Sequence, residues 1–102
     1  MILLPIKRKW FDMILSGEKK EEYREIKPYY TKRFQNQGLL DIYELPTINK
    51  IPIIFRNGYS ANSPNFTALC SLDVKTGKEE WGAEPNKEYY VLRIEEIVEK
   101  RW

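Results

Sequence analysis

Residues 66–75 constrain the fold of this chain more than any other stretch. Phe66, Ala68, Cys70, Leu72 and Val74 alternate with Thr67, Leu69, Ser71, Asp73 and Lys75. Strand side chains point to opposite faces with a period of two, so this segment reads as a strand with one apolar face. Ile2–Ile6 and Lys50–Arg56 are short apolar, β-branched runs that read as two more strands. Pro5 and Pro52 lack a backbone donor, so each belongs near a strand end or on a sheet edge. Residues 88–98 read as a long last strand, with Tyr90, Leu92 and Ile94 turned inward and a bend or bulge at Glu95–Glu96. Residues 19–26, Lys-Lys-Glu-Glu-Tyr-Arg-Glu-Ile, read as a fifth strand with a charged face.

Two helices are expected between the early strands. Trp10, Phe11, Ile14 and Leu15 form two i,i+4 pairs, which sets them on one face of a helix over residues 8–16. Gly17 ends it, since glycine adopts the left-handed cap conformation cheaply. Pro28–Phe34 reads as a second short helix with Pro28 in its first turn, where no helical partner for an N–H is lost. Residues 39–49 carry scattered apolar positions and no clear period, so a loop or a further helical turn fits. Residues 79–86 read as a loop anchored by Trp81, which is expected to close one end of the fold. The expected architecture is α+β: one domain over residues 1–102, a small mixed β-barrel of about five strands with two short helices near the N-terminal half.

Composition narrows the chemistry. The chain has no histidine and one cysteine, Cys70. This removes Ser-His-Asp and Cys-His catalysis, an internal disulfide and the Cys- or His-based zinc sites. Any catalysis would use lysine, carboxylates, tyrosine or hydroxyls; no metal site and no cofactor are expected. The 17 basic and 15 acidic residues leave a net charge of +2, so a nucleic-acid footprint would have to come from clustering. The N-terminal apolar run precedes its basic residues, the reverse of a secretory signal, and no run reaches the ~20 apolar residues of a membrane helix. A cytoplasmic protein, without a membrane partner and monomeric or weakly dimeric, is the expectation.

The segment that most looks like a site is Gly17–Arg24. Glu22 and Arg24 are two apart, so they share a strand face, and the guanidinium fork can serve both the carboxylate and a second acceptor. Strict alternation from residue 19 would turn Lys19 to the opposite face. Lys19 joins the pair only if it lies in the turn after Gly17, before strand pairing begins. A solvated charged strand would account for the same residues. Tyr29, Tyr30, Lys32 and Arg33 interleave rings with cations, a pattern suited to bases and phosphates but equally to docking a helix. Arg56 and Tyr59 flank the Asn57-Gly58 turn at a strand end, where loops often carry binding groups.

Gly17, Lys19, Glu22 and Arg24 spell G-x-K-x-x-E-x-R directly after a strand and an amphipathic helix. This resembles the ASCH domain, a small β-barrel of the PUA-like superfamily. Phe55–Tyr59 and Glu80–Pro85 resemble segments of its small phage and prophage members. The resemblance implies a cleft lined by Lys19, Glu22 and Arg24 that recognises RNA or a nucleotide, with Tyr29, Tyr30, Arg56 and Tyr59 as further contacts. Some relatives hydrolyse an acylated cytidine with a lysine activator and a threonine nucleophile. Glu22 stands at the threonine position here, so hydrolysis through Lys19 and Glu22 is the alternative, and a protein-interaction module the second alternative.

Overall fold

In a computed structural model, which describes residues 1–101, the chain forms one mixed five-stranded sheet and two α-helices. The strands are β1 (Ile2–Ile6), β2 (Glu21–Arg24), β3 (Ile51–Asn57), β4 (Asn65–Thr76) and β5 (Glu88–Arg101). The helices are α1 (Arg8–Leu15) and α2 (Pro28–Asn36). The sheet order is β1-β3-β4-β5-β2, with β1 parallel to β3 and every other pair antiparallel. Consecutive β1 and β2 therefore lie at opposite edges of the sheet. No backbone ladder joins them among the described residues, so the sheet is not closed into a barrel.

The core fills the space between one sheet face and the two helices. From α1, Phe11 and Ile14 are buried, and the Phe11 ring lies 5.1 Å from Phe66. From α2, Phe34 is fully buried and meets Tyr90 edge-on at 5.3 Å. Phe66, Ala68, Cys70 and Leu72 face inward as their alternation requires. Cys70 has its thiol pKa pushed up to about 12 by burial, next by the nearby Glu95 carboxylate. Pro5 lies on the edge strand β1 and Pro52 near the start of β3, the places a residue without a backbone donor favours.

Several boundaries differ from the sequence expectation. The charged strand starts at Glu21 and stops at Arg24, so Lys19, Glu25 and Ile26 lie outside it. The last strand runs three residues beyond 98, to Arg101. Its pairing to β4 skips Glu95 and Val98, two bulges that bend the long hairpin, the first at the expected place. The loop after β4 opens with a 3-10 turn, Glu79–Trp81. Trp81 is only half-buried and does not cap the core; the Lys78 ammonium sits 4.4 Å over its ring. The terminal Trp102 lies outside the described residues. Residues 39–49 form a loop with Leu39 and Leu40 buried and a single bridge from Leu40 to Pro46. The Asp41 carboxylate accepts the Tyr43 and Leu45 backbone N–H groups, and this tight turn leaves Ile42, Tyr43, Leu45 and Ile48 exposed.

The other sheet face carries a second, smaller apolar cluster that alternation does not foresee: Ala83, Tyr89 and Val91, with Tyr23 against them. Gly77 is required there, because a Cβ would stand 2.6 Å from the Tyr23 ring. Glu21 is buried beside this cluster. Its carboxylate accepts from Tyr23 Oη at 2.8 Å and pairs with Lys75 Nζ at 2.8 Å. Burial alone would raise the Glu21 pKa; the hydrogen bonds from Lys75 and Tyr23 outweigh it and hold the group below its ordinary value. A carboxylate with a depressed folded-state pKa adds stability that is present above its unfolded pKa and is lost as pH falls through the folded one. In urea titrations, the wild-type chain should therefore lose more stability between neutral pH and about pH 3 than Glu21→Gln does. Equal losses would mean that the Glu21 pair carries none of the acid sensitivity.

Candidate functional site

The site begins where α1 stops. The Trp10–Ile14 and Phe11–Leu15 spacing holds one helical face against the core, and Gly17 then takes φ +85°. The Gly17 N–H donates to Ile14 O and the Lys19 N–H to Met13 O at 2.9 Å, so the chain folds back on the last turn of the helix. This return directs the Lys19 side chain inward before β2 begins. Lys19 is thus in the turn, the one position from which it can join Glu22 and Arg24.

The three side chains converge. Lys19 Nζ lies 2.9 Å from Glu22 Oε1, and Arg24 Nη2 lies 3.2 Å from Glu22 Oε2. Each carboxylate oxygen therefore takes one cation. Lys19 Nζ also donates to the Trp81 carbonyl at 2.8 Å and sits 4.8 Å and 5.0 Å from the Trp10 and Tyr23 ring centroids. Its side chain is 0% exposed and that of Glu22 is 8%, so this is a buried ion pair rather than a surface one. Burial pulls the Lys19 pKa down, and the Glu22 charge and hydrogen bond oppose that pull.

Arg24 spans the open side of the sheet. Its Nη2 donates to Pro5 O on β1 at 3.0 Å, and its Nη1 to Tyr30 Oη on α2 at 3.3 Å. One guanidinium thus ties β2, β1 and α2 together across the gap that no ladder closes. Its Nε is buried and is the one buried side-chain nitrogen or oxygen without a hydrogen-bond partner among the described residues.

A cleft of about 370 Å³ opens over Arg24 and Glu22. Pro5, Ile6 and Lys7 wall it from the end of β1, Arg8 and Trp10 from α1, and Asn57, Gly58 and Tyr59 from the turn after β3. Of the residues singled out by sequence, Glu22, Arg24 and Tyr59 line this cleft. Lys19 does not; it is enclosed behind Glu22. Arg56 turns away and donates to Gly58 O and Tyr59 O, so it shapes the turn that displays Tyr59. Tyr30 is half-buried behind Arg24 and stacks on Phe34. Tyr29 is exposed and lines a separate hollow with Ile26, Lys27 and Lys32.

Lys7, Arg8 and Trp10 are cleft residues not among the sequence candidates; Trp10 was expected only on the packing face of the first helix. A usable signal was their position at the junction of a parallel edge strand with its helix, where the C-terminal strand end faces solvent. Among the described residues, no group of three or more acidic or cysteine side chains is arranged to hold a metal ion. No helix of the described residues is long and apolar enough to cross a membrane. No family model, curated protein or solved structure matches the chain.

Removing one partner of a buried pair strands the other charge, which costs about 3–5 kcal/mol. Lys19→Met should therefore lower unfolding free energy by about that amount in urea titrations. A loss below about 1 kcal/mol would show that Glu22 is adequately served by Arg24 alone.

Proposed function

We propose that this protein binds RNA or a nucleotide through the cleft over Arg24, in an ASCH-like variant of the PUA-like barrel. The supporting observation is the make-up of the cleft wall: three cations, Lys7, Arg8 and Arg24, interleaved with two aromatic rings, Trp10 and Tyr59. Cations meet phosphate oxygens, and rings accept base faces without regard to sequence. Glu22 is the one carboxylate in the wall, and its charge is balanced by Lys19 and Arg24, so it does not repel a phosphate. The barrel reading draws support from Arg24, whose side chain spans the gap between the sheet edges where a backbone ladder would close a barrel. Asn57 and Tyr59 in the cleft wall carry an amide and a hydroxyl, groups able to read a base edge.

Binding is favoured over hydrolysis of an acylated nucleoside because Lys19 Nζ does not reach the cleft. A lysine acting on a bound ligand would have to leave both Glu22 and the Trp81 carbonyl. In the proposed role Lys19 is a positioning residue: it fixes Glu22, which fixes Arg24. A protein-docking role is the second reading, favoured by the four exposed apolar side chains of the 42–48 turn.

Fluorescence anisotropy with labelled single-stranded RNA tests the first reading. Affinity should fall as salt rises, and replacing both Lys7 and Arg8 by alanine should flatten the log–log salt slope by about 1–2. Arg24→Ala should weaken binding about tenfold or more. Because Arg24 also ties the sheet edges, the Lys7/Arg8 double variant, altered only at exposed positions, is the decisive one. An unchanged slope and affinity in that variant would remove the cleft from consideration. No nucleotide-induced rise in melting temperature would turn attention to docking, since a ligand of the native state must raise it.

A further inference from the structure

The cleft is not the only hollow that Arg24 lines. A second one, of about 380 Å³, also has Arg24 in its wall, and Arg24 is the single residue common to both walls. The two walls also meet at a second point. Trp10 of the first is in close contact with Gly82 of the second, where even a Cβ would come within 2.9 Å of the indole. Resting on the nucleotide reading above, we propose that the ligand is a single-stranded oligonucleotide of at least two units. It lies across Arg24, with one base in each hollow and the linking phosphate at the guanidinium.

The second hollow has chemistry to match the first. The half-buried Tyr23 and Tyr30 and the more deeply buried Tyr89 line it, with Lys27 and Lys87 beside them. Its two carboxylates are already engaged: Glu25 with Lys27 and Lys87, and Glu84 with Lys87. Together the two walls hold five cations, Lys7, Arg8, Arg24, Lys27 and Lys87, against the carboxylates Glu22, Glu25 and Glu84. Of these cations, Arg8 also pairs with Asp12 on its own helix.

Donor accounting at Arg24 allows for a phosphate. A guanidinium carries five N–H donors. Both on Nη2 are used, on Glu22 and Pro5 O, and one on Nη1 goes to Tyr30 Oη. The Nε donor is buried without a partner, which leaves one Nη1 donor for a phosphate oxygen. A mononucleotide would occupy one hollow and leave the other unused. A duplex keeps its base faces stacked inside the helix, so ring-walled hollows select unpaired bases.

The test is a length series. Isothermal titration calorimetry at one salt concentration would compare the four 5′-mononucleotides, the matching homodinucleotides and the matching hexanucleotides. The dinucleotide should bind about tenfold or more tightly than the mononucleotide, the gain expected from stacking one further base. Tyr59→Ala in the first hollow and Lys87→Glu in the second should each remove most of that gain. Both positions are at the surface, with Tyr59 86% exposed and the Lys87 side chain 37%; because Lys87 pairs with Glu25 and Glu84, the melting temperature of each variant is measured beside its affinity, and only a loss of affinity at an unchanged melting temperature counts for the proposal. Mononucleotides binding within about threefold of dinucleotides would overturn the two-hollow proposal and leave the nucleotide reading standing. Dinucleotide affinity that falls in Tyr59→Ala but not in Lys87→Glu would do the same. Absence of binding by every probe would overturn both.

Discussion

A buried carboxylate held between two cations organises this molecule. Glu22 alone, at 8% exposure of its side chain, would be too costly to keep charged away from water. Lys19 on one oxygen and Arg24 on the other make it tolerable, and each cation then reaches a different part of the chain. Lys19 reaches the carbonyl of Trp81 in the loop before β5. Arg24 reaches β1 through Pro5 and α2 through Tyr30. The four-residue strand β2 thereby connects pieces that no hydrogen-bonded ladder joins.

This arrangement separates support from contact. Lys19 has two of its three donors on oxygen, and its remaining surroundings are the rings of Trp10 and Tyr23. It is a foundation for the site and does not touch the cleft. Arg24 is part of the foundation too, and it lines both hollows. Trp10 is the mirror of Lys19: it covers the buried ammonium with its ring and still forms part of the cleft wall. Strain on the foundation would be felt in the cleft through Glu22.

Surface charge elsewhere has a quieter role. Glu21 points to the opposite sheet face from Glu22 and is served by Lys75 and Tyr23, so adjacent glutamates of one short strand are both buried in separate polar clusters. The outer cluster of Tyr23, Ala83, Tyr89 and Val91 explains why this end of the hairpin has both faces covered. Farther along, β5 passes its two bulges and leaves the core, and its side chains from Glu95 to Arg101 are mostly exposed.

Period and punctuation determine much of this in the sequence alone. The alternation at 66–75 set the inward face of β4, the i,i+4 pairs set the buried face of α1, Gly17 set where that helix stops, and the two-residue spacing put Glu22 and Arg24 together. Each of these is a local property, because backbone geometry repeats whatever surrounds it. Only tertiary structure decided that Lys19 is sealed, that Arg56 serves its own turn, that Trp10 faces a cleft, and that Arg24 stands between two hollows. A long side chain on a turn or strand end can swing several ångströms, and its direction depends on partners distant in the chain. For Lys19 that partner is the Trp81 carbonyl, 62 residues away.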